Sequence, residues 1–246
     1  MPASLSNRVA LVTGASSGFG EATALALAGA GASVAICARR RDRLEALARR
    51  IGGDVLVIEA DLSKEAEAMR AVRETEAHFG RLDILINNAG VMYLGPIETA
   101  DLAKWRHMFD LNVMGLMAAT QAALPGMRAR KDGHVVNVSS TAGRMSNAGA
   151  GGYSGSKFAV NAFSEALRKE AYMDNIRVTV VEPGVAATEL RDHIPDPATQ
   201  KALNAWADGM RQLQAEDVAN AILFAVSQPN HVNINEILMR PTDQER

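Results

Sequence analysis

Residues 8–20, RVALVTGASSGFG, decide the fold. The first six, 8–13, form a nearly continuous apolar run, the pattern of a strand buried on both faces. Gly14, Gly18 and Gly20 then fall in a turn that opens a helical stretch over 18–30. Glycine accepts positive φ and lets a ligand come close to the backbone. The helix start offers unpaired N–H groups and the positive end of its dipole. Strand, glycine turn and helix in that order predict a seat for a pyrophosphate. A turn that only packs helix on strand is the alternative.

The pattern continues outward from this stretch. Residues 33–38, 54–60, 83–87, 134–139 and 176–182 are further apolar runs, and 234–240 is a weaker one. Helical stretches lie between them at 41–51, 64–79, 102–130, 153–172 and 215–226. Gly31 and Gly80 act as helix stops, and Asp61–Ser63 and Thr99–Asp101 offer N-cap side chains. Such alternation predicts an α/β fold: a single Rossmann-type, doubly wound domain over 1–246, with about seven parallel strands and helices on both faces. Residues 185–214, with Pro195 and Pro197, are too long for an ordinary connection and read as a substrate-binding loop or lid.

Composition narrows the class. The chain has 246 residues, 48% hydrophobic and 22% charged, with a net charge of −2, which excludes disorder as a global description. The single cysteine, Cys37, excludes an intrachain disulfide and a Cys-rich zinc site. No apolar run approaches the ~20 residues that span a bilayer. Residues 1–8 are too short and polar for a signal peptide. The near-neutral balance gives no push toward nucleic acid. A cytoplasmic enzyme or binding domain, with no membrane or nucleic-acid partner, is expected. The five histidines and the acidic residues show no metal-ligand spacing, and no Gly-x-Ser-x-Gly elbow is present.

The spacing Gly-x-x-x-Gly-x-Gly at 14, 18 and 20 resembles that of the short-chain dehydrogenase/reductase family, and the resemblance covers nearly the whole chain. It places Gly14, Ser16, Ser17, Gly18, Phe19 and Gly20 at the cofactor phosphates. Asn88-Ala89-Gly90 would lie beside the cofactor, and Pro183, Gly184 and Val185 beside the nicotinamide. Thr188 would bond the carboxamide. Asp61 and Leu62 would flank the adenine, although Asp61 reads equally as a helix cap. The strand over 33–38 ends in Arg39-Arg40 with no acid, whereas an NAD site usually carries a carboxylate there. Guanidinium groups suit a 2′-phosphate, and Ser16 and Ser17 could add hydrogen bonds, so NADPH is expected over NADH. A solvated basic helix start, continued by Arg41 and Arg43, is the plainer alternative.

Tyr153 and Lys157, four apart, share one helix face. Free tyrosine has a pKa near ~10, and a neighbouring ammonium favours its phenolate, so the pair suits moving a hydroxyl proton. By resemblance, Ser140 holds the substrate oxygen and Asn112 holds a water linking Lys157 to a proton relay. The implied activity is an NADPH-dependent carbonyl reductase, reversible as an alcohol dehydrogenase. The segments 182–184, 188–194 and 240–244 resemble a bacterial subgroup that includes clavulanic-acid-type aldehyde reductases and dehydrogenases of serine or 3-hydroxy acids. A hydroxy-acid dehydrogenase is therefore the alternative, with Arg144 or Arg191 as carboxylate ligand. A non-catalytic NADPH-binding sensor is a third. Small residues over 147–152 suggest a roomy pocket, walled by Met92, Tyr93, Arg144, Met145, Ala150, Leu190, His193 and Trp206. Apolar residues on 102–130 and 153–172 suggest a homodimer or homotetramer.

Overall fold

The computed structural model describes residues 4–245; the first three residues of the N-terminal stretch lie outside this range. Seven strands form one sheet: β1 (Val9–Thr13), β2 (Ser33–Ala38), β3 (Val55–Glu59), β4 (Ile84–Asn87), β5 (Gly133–Val138), β6 (Ile176–Pro183) and β7 (Glu236–Met239). Their order is β3-β2-β1-β4-β5-β6-β7, and every pairing is parallel. The helices are α1 (Gly18–Gly29), α2 (Arg41–Ile51), α3 (Glu65–Phe79), α4 (Leu102–Phe109), α5 (Leu116–Arg130), α6 (Gly151–Ala171), α7 (Pro197–Asp208) and α8 (Ala215–Val226).

Side chains alternate across the sheet and so feed two cores. Leu11, Leu85, Val135 and Val178 point into one core with α3, α5 and α6. Ala10, Val12, Ile84, Ile86, Val136 and Val181 point into the other, with α1, α2 and α8. β1, β4, β5 and β6 are buried along their whole length, which is why they read as continuous apolar runs. The order turns back at β1–β4, and in such sheets the crevice at the carboxyl ends of the strands there receives ligands. Among the described residues no helix is long and apolar enough to cross a membrane.

Two local expectations need correction. Residues 102–130 are not one α-helix: Asp110–Gly115 winds as a π-helical turn between α4 and α5. A Cβ on Gly115 would strike the Leu62 carbonyl, so only glycine allows this close passage. Asp61 and Ser63 do not cap α3; Lys64 holds the N-cap position without a side-chain bond, and Asp61 accepts instead from the Ser63 N–H and hydroxyl. Residues 185–214, expected as a substrate-binding loop or lid, are partly helical. They hold a short 3-10 turn, Glu189–His193, and α7, which Asp196 caps through the Thr199 N–H at 2.7 Å with Pro197 in its first turn. Asp101 caps α4 as expected, through the Ala103 N–H, and Gly80 ends α3 in the left-handed conformation.

Candidate active site

One cavity of about 960 Å³ lies along the carboxyl ends of the strands. Its phosphate end is shaped by the turn after β1. Gly14 has φ +66°, and a Cβ there would lie 2.8 Å from the Ala89 backbone. The turn is braced from β4: Asn88 donates its side-chain amide to the carbonyls of Thr13 (2.9 Å) and Gly14, and Thr13 Oγ1 accepts from the Asn88 and Ala89 N–H groups. Gly14, Ser16, Ser17, Gly18 and Phe19 line the cavity. Gly20 does not; its missing Cβ leaves room for the Gly14 carbonyl, so it is a packing glycine.

Arg39 and Arg40 line the cavity at the end of β2, where the strand itself supplies no acid. Arg40 Nε and Nη2 donate to Ser16 Oγ at 3.0 and 2.9 Å, and Nη2 also donates to Ser17 Oγ at 2.8 Å. Leu62 lines the same region, whereas Asp61 does not and spends its Oδ1 on Ser63. The close glycine cradle, the helix N-terminus and the paired arginines fit a dinucleotide that carries a 2′-phosphate.

At the other end Ser140, Tyr153 and Lys157 converge. Ser140 lies two residues beyond β5 and caps the short turn Thr141–Gly143; its hydroxyl accepts from the Ala142 N–H and lies 3.4 Å from the Pro183 carbonyl. Tyr153 and Lys157 stand in the first turns of α6, with Lys157 Nζ 5.8 Å from the Tyr153 ring centre. Lys157 Nζ donates to the Val138 carbonyl at 2.9 Å. Burial pushes the Tyr153 hydroxyl up to about 12, with the Ser140 hydroxyl pulling the other way. Burial brings the Lys157 ammonium down to about 8. Ser139 also lines the cavity and donates to the Lys157 carbonyl.

Asn112 sits in the π-helical turn. Both of its amide N–H groups are committed, one to the Val91 carbonyl (2.9 Å) and one to Ser156 Oγ (3.1 Å), while its oxygen accepts from the Val91 N–H. The side chain therefore ties α6 to the segment after β4. It does not line the cavity. Ala89, Gly90, Pro183, Gly184, Val185 and Thr188 all line the cavity as expected.

Of the residues expected to wall the substrate, Met92, Met145, Ala150, Leu190, His193 and Trp206 line the cavity. Tyr93 and Arg144 do not. Tyr93 packs beside His107, with ring centres 6.2 Å apart. Arg144 is drawn off by Glu182, to which it donates from Nε (2.8 and 2.9 Å) and Nη2 (2.6 Å), and by Glu236. Glu182 is fully buried and also accepts from Asn161 at 2.7 Å. Walls missed in the sequence are Leu203, Ala207 and Met210, from α7 and just beyond it. Their signal was the Asp196-Pro197 helix start. Among the described residues no group of three His, Cys, Asp or Glu side chains could hold a metal.

A Rossmann-type sheet with a phosphate turn and a Ser-Tyr-Lys group at its carboxyl edge defines a dinucleotide-dependent oxidoreductase. The chain matches the family described as short chain dehydrogenase over residues 8–198, and it belongs to that dehydrogenase/reductase family of enzymes. It is 36% identical over 241 residues to an uncharacterised oxidoreductase of Staphylococcus saprophyticus, covering 97% of each chain. Its fold is similar to the closed form of serine dehydrogenase complexed with NADP+, with a TM-score of 0.91, 34% identity and coverage of 97% and 96% of the two chains. It also resembles an alcohol dehydrogenase of Thermococcus sibiricus complexed with 5-hydroxy-NADP, with a TM-score of 0.86, 27% identity and coverage of 97% and 98%.

Proposed function

We propose that the enzyme is an NADP(H)-dependent carbonyl reductase acting on aldehydes or ketones, reversible as an alcohol dehydrogenase. The observation that carries this reading is the meeting of Ser140, Tyr153 and Lys157 in one cavity whose far end holds Arg39 and Arg40. The nicotinamide, when bound, supplies or accepts the hydride. Tyr153 gives its phenolic proton to the carbonyl oxygen in reduction and takes it back in oxidation. Its burial keeps it protonated at neutral pH, the form that reduction needs. Ser140 donates a hydrogen bond to the same oxygen as its charge develops. The Lys157 ammonium favours the phenolate left after proton transfer, and holds the nicotinamide ribose. Asn112 keeps Val91 and Ser156 in register beneath this group.

The apolar walls Met92, Met145, Leu190, Leu203 and Trp206 favour a bulky or aromatic carbonyl compound. A second reading is oxidation of a small hydroxy acid. Arg191 supports it, because it lines the cavity and its buried Nη1 makes no hydrogen bond among the described residues, only an ion pair at 3.8 Å to Asp208, while Glu182 engages Arg144. Likeness to serine dehydrogenase points the same way. Nicotinamide absorbance, followed with NADPH or NADP+ over a panel of aldehydes, ketones and hydroxy acids, separates the two. Turnover of bulky ketones with NADPH supports the first reading. Turnover confined to hydroxy acids, abolished by Arg191→Ala, supports the second. No turnover with any member overturns both.

We also place the enzyme in the cytoplasm as a homodimer or homotetramer. Phe109, Met114 and Phe158 are exposed apolar side chains on the α4–α6 face. A monomer by light scattering would refute the assembly.

A further inference from the structure

The cation at the phosphate end is already held by an anion from the lid. Arg40 Nη1 donates to one carboxylate oxygen of Glu189 at 2.8 Å, and Arg43 Nη1 donates to the other at 2.6 Å. Glu189 opens the 3-10 turn of the 185–214 segment, directly after Thr188. The pairs thus join the adenosine side of the cavity to its substrate side, across 149 and 146 residues of chain. Thr188 adds contact between the same parts: a Cβ on Gly18 would meet its methyl at 3.4 Å. A second cleft, lined by Ser17, Glu21, Arg43, Arg50, Glu189 and Asp192 among others, runs behind the pairs.

A guanidinium has five N–H donors. In Arg40 four are committed: Nε–H to Ser16, both Nη2 donors to Ser16 and Ser17, and one Nη1 donor to Glu189. A phosphate that takes Arg40 in two-pronged fashion therefore has to displace a partner. The serine hydroxyls are neutral and can turn to donate to a phosphate oxygen. Glu189 is an anion that repels phosphate and has Arg43 to fall back on. It is also held far on the acidic side, at about 2, by Arg40 and Arg43, so it stays charged at neutral pH. Arg39, by contrast, makes no hydrogen bond or ion pair among the described residues and lines the cavity.

We propose that Glu189 is a specificity-determining residue for the cofactor: a lid carboxylate that competes with the 2′-phosphate for Arg40 and so sets how strongly the enzyme prefers phosphorylated dinucleotide. The inference rests on the NADP(H) reading. Binding of the 2′-phosphate is then an exchange of one anion for another rather than an addition to an open cation. Part of the phosphate's binding energy is spent in freeing Glu189, and the lid loses its tie to Arg40 at the same step.

Calorimetric binding of 2′,5′-ADP and 5′-ADP at low salt tests this without turnover. The wild type should bind 2′,5′-ADP more tightly. Glu189→Gln removes the competing charge in a half-exposed side chain, and should tighten 2′,5′-ADP by about threefold to fivefold with 5′-ADP unchanged within error. Arg43→Ala leaves Glu189 wholly to Arg40, and should weaken 2′,5′-ADP several-fold. Limited proteolysis of residues 188–210 should quicken with 2′,5′-ADP and not with 5′-ADP. If Glu189→Gln weakens 2′,5′-ADP or leaves it unchanged while the wild-type preference holds, Glu189 only positions Arg40 or does nothing, and this inference falls alone. If the wild type shows no preference for 2′,5′-ADP, the cofactor reading falls and takes this inference with it.

Discussion

The floor of the cavity and its roof are held by different chemistry. Beneath the cavity, Asn87 donates to Thr120 and Asn137, Asn137 donates to Ser164, and Glu182 holds Arg144 and Asn161. All of these except Arg144 and Asn161 are buried. Over the cavity, the 185–214 segment is tied by Arg40 and Arg43 to Glu189, and the connection after α7 by Arg211 to Asp243, all half-exposed or exposed pairs. Buried polar bonds cost several-fold more to break than exposed ion pairs, which contribute about 0–1 kcal/mol each. The difference teaches a division of labour. Proton transfer needs groups fixed to within a fraction of an ångström, and the floor fixes them. Admission and release of ligands need a part that can move, and the roof is held by contacts that exchange readily.

Variants can break this division at either side. The largest effect is expected for Tyr153→Phe. It removes only the transferable proton, so kcat should fall by about 10²–10⁴-fold while NADPH affinity changes little. Retained turnover, with affinity measured by fluorescence titration, would unseat Tyr153 as the acid. Next is Glu182→Ala, which strips a fully buried carboxylate from Arg144 and Asn161. It should cost about 2–3 kcal/mol in urea denaturation, well beyond the loss from Asp243→Ala in the roof. Equal losses would erase the contrast between floor and roof.

A subtler effect concerns pH. Lys157 drops from 10.5 to about 8 on folding because it is buried. Below pH 8 both folded and unfolded chains carry its proton, and the folded state bears the full penalty of burying that charge. Between about 8 and 10.5 the folded state has lost a proton that the unfolded chain keeps, so stability gains a rising contribution with pH across that window. Tyr153 opposes this above pH 10, because its hydroxyl is raised to about 12 and stays protonated when the unfolded tyrosine ionises. Lys157→Met should flatten the rise from pH 8 to 10 in denaturation curves. The smallest effect belongs to the roof. Trp206→Ala should raise KM for a bulky ketone by about fivefold, with little change for a short aldehyde. Equal change for both would remove Trp206 from the substrate wall.

Much of this was legible in the sequence, for reasons that differ by region. The buried parallel strands announce themselves as apolar runs, and the catalytic group by local spacing: Tyr153 and Lys157 lie one helical turn apart, and Ser140 falls just after the strand before them. What escaped depends on partners distant in the chain. Arg144 looked like a pocket cation until Glu182, 38 residues away, engaged it. The π-helical turn at Asp110–Gly115 follows from Asn112 bonding Val91 and from Gly115 passing Leu62, and neither contact shows in a helical period. The bounds of α7 were obscured by the prolines at 195 and 197, although Asp196 followed by Pro197 is itself a helix start.

The central claim is that Tyr153 completes a hydride transfer to a carbonyl carbon, and isotopic labelling tests it directly. Wild-type enzyme and Tyr153→Phe would each be given NADPH deuterated on the transferring face of C4, in separate runs for the two faces, with a bulky ketone. The product alcohol would be analysed by mass spectrometry. The wild type should give one deuterium on the carbinol carbon from one face only, and the variant no detectable alcohol. Unlabelled alcohol from both labelled cofactors, or labelled alcohol formed at wild-type rate by Tyr153→Phe, would contradict it.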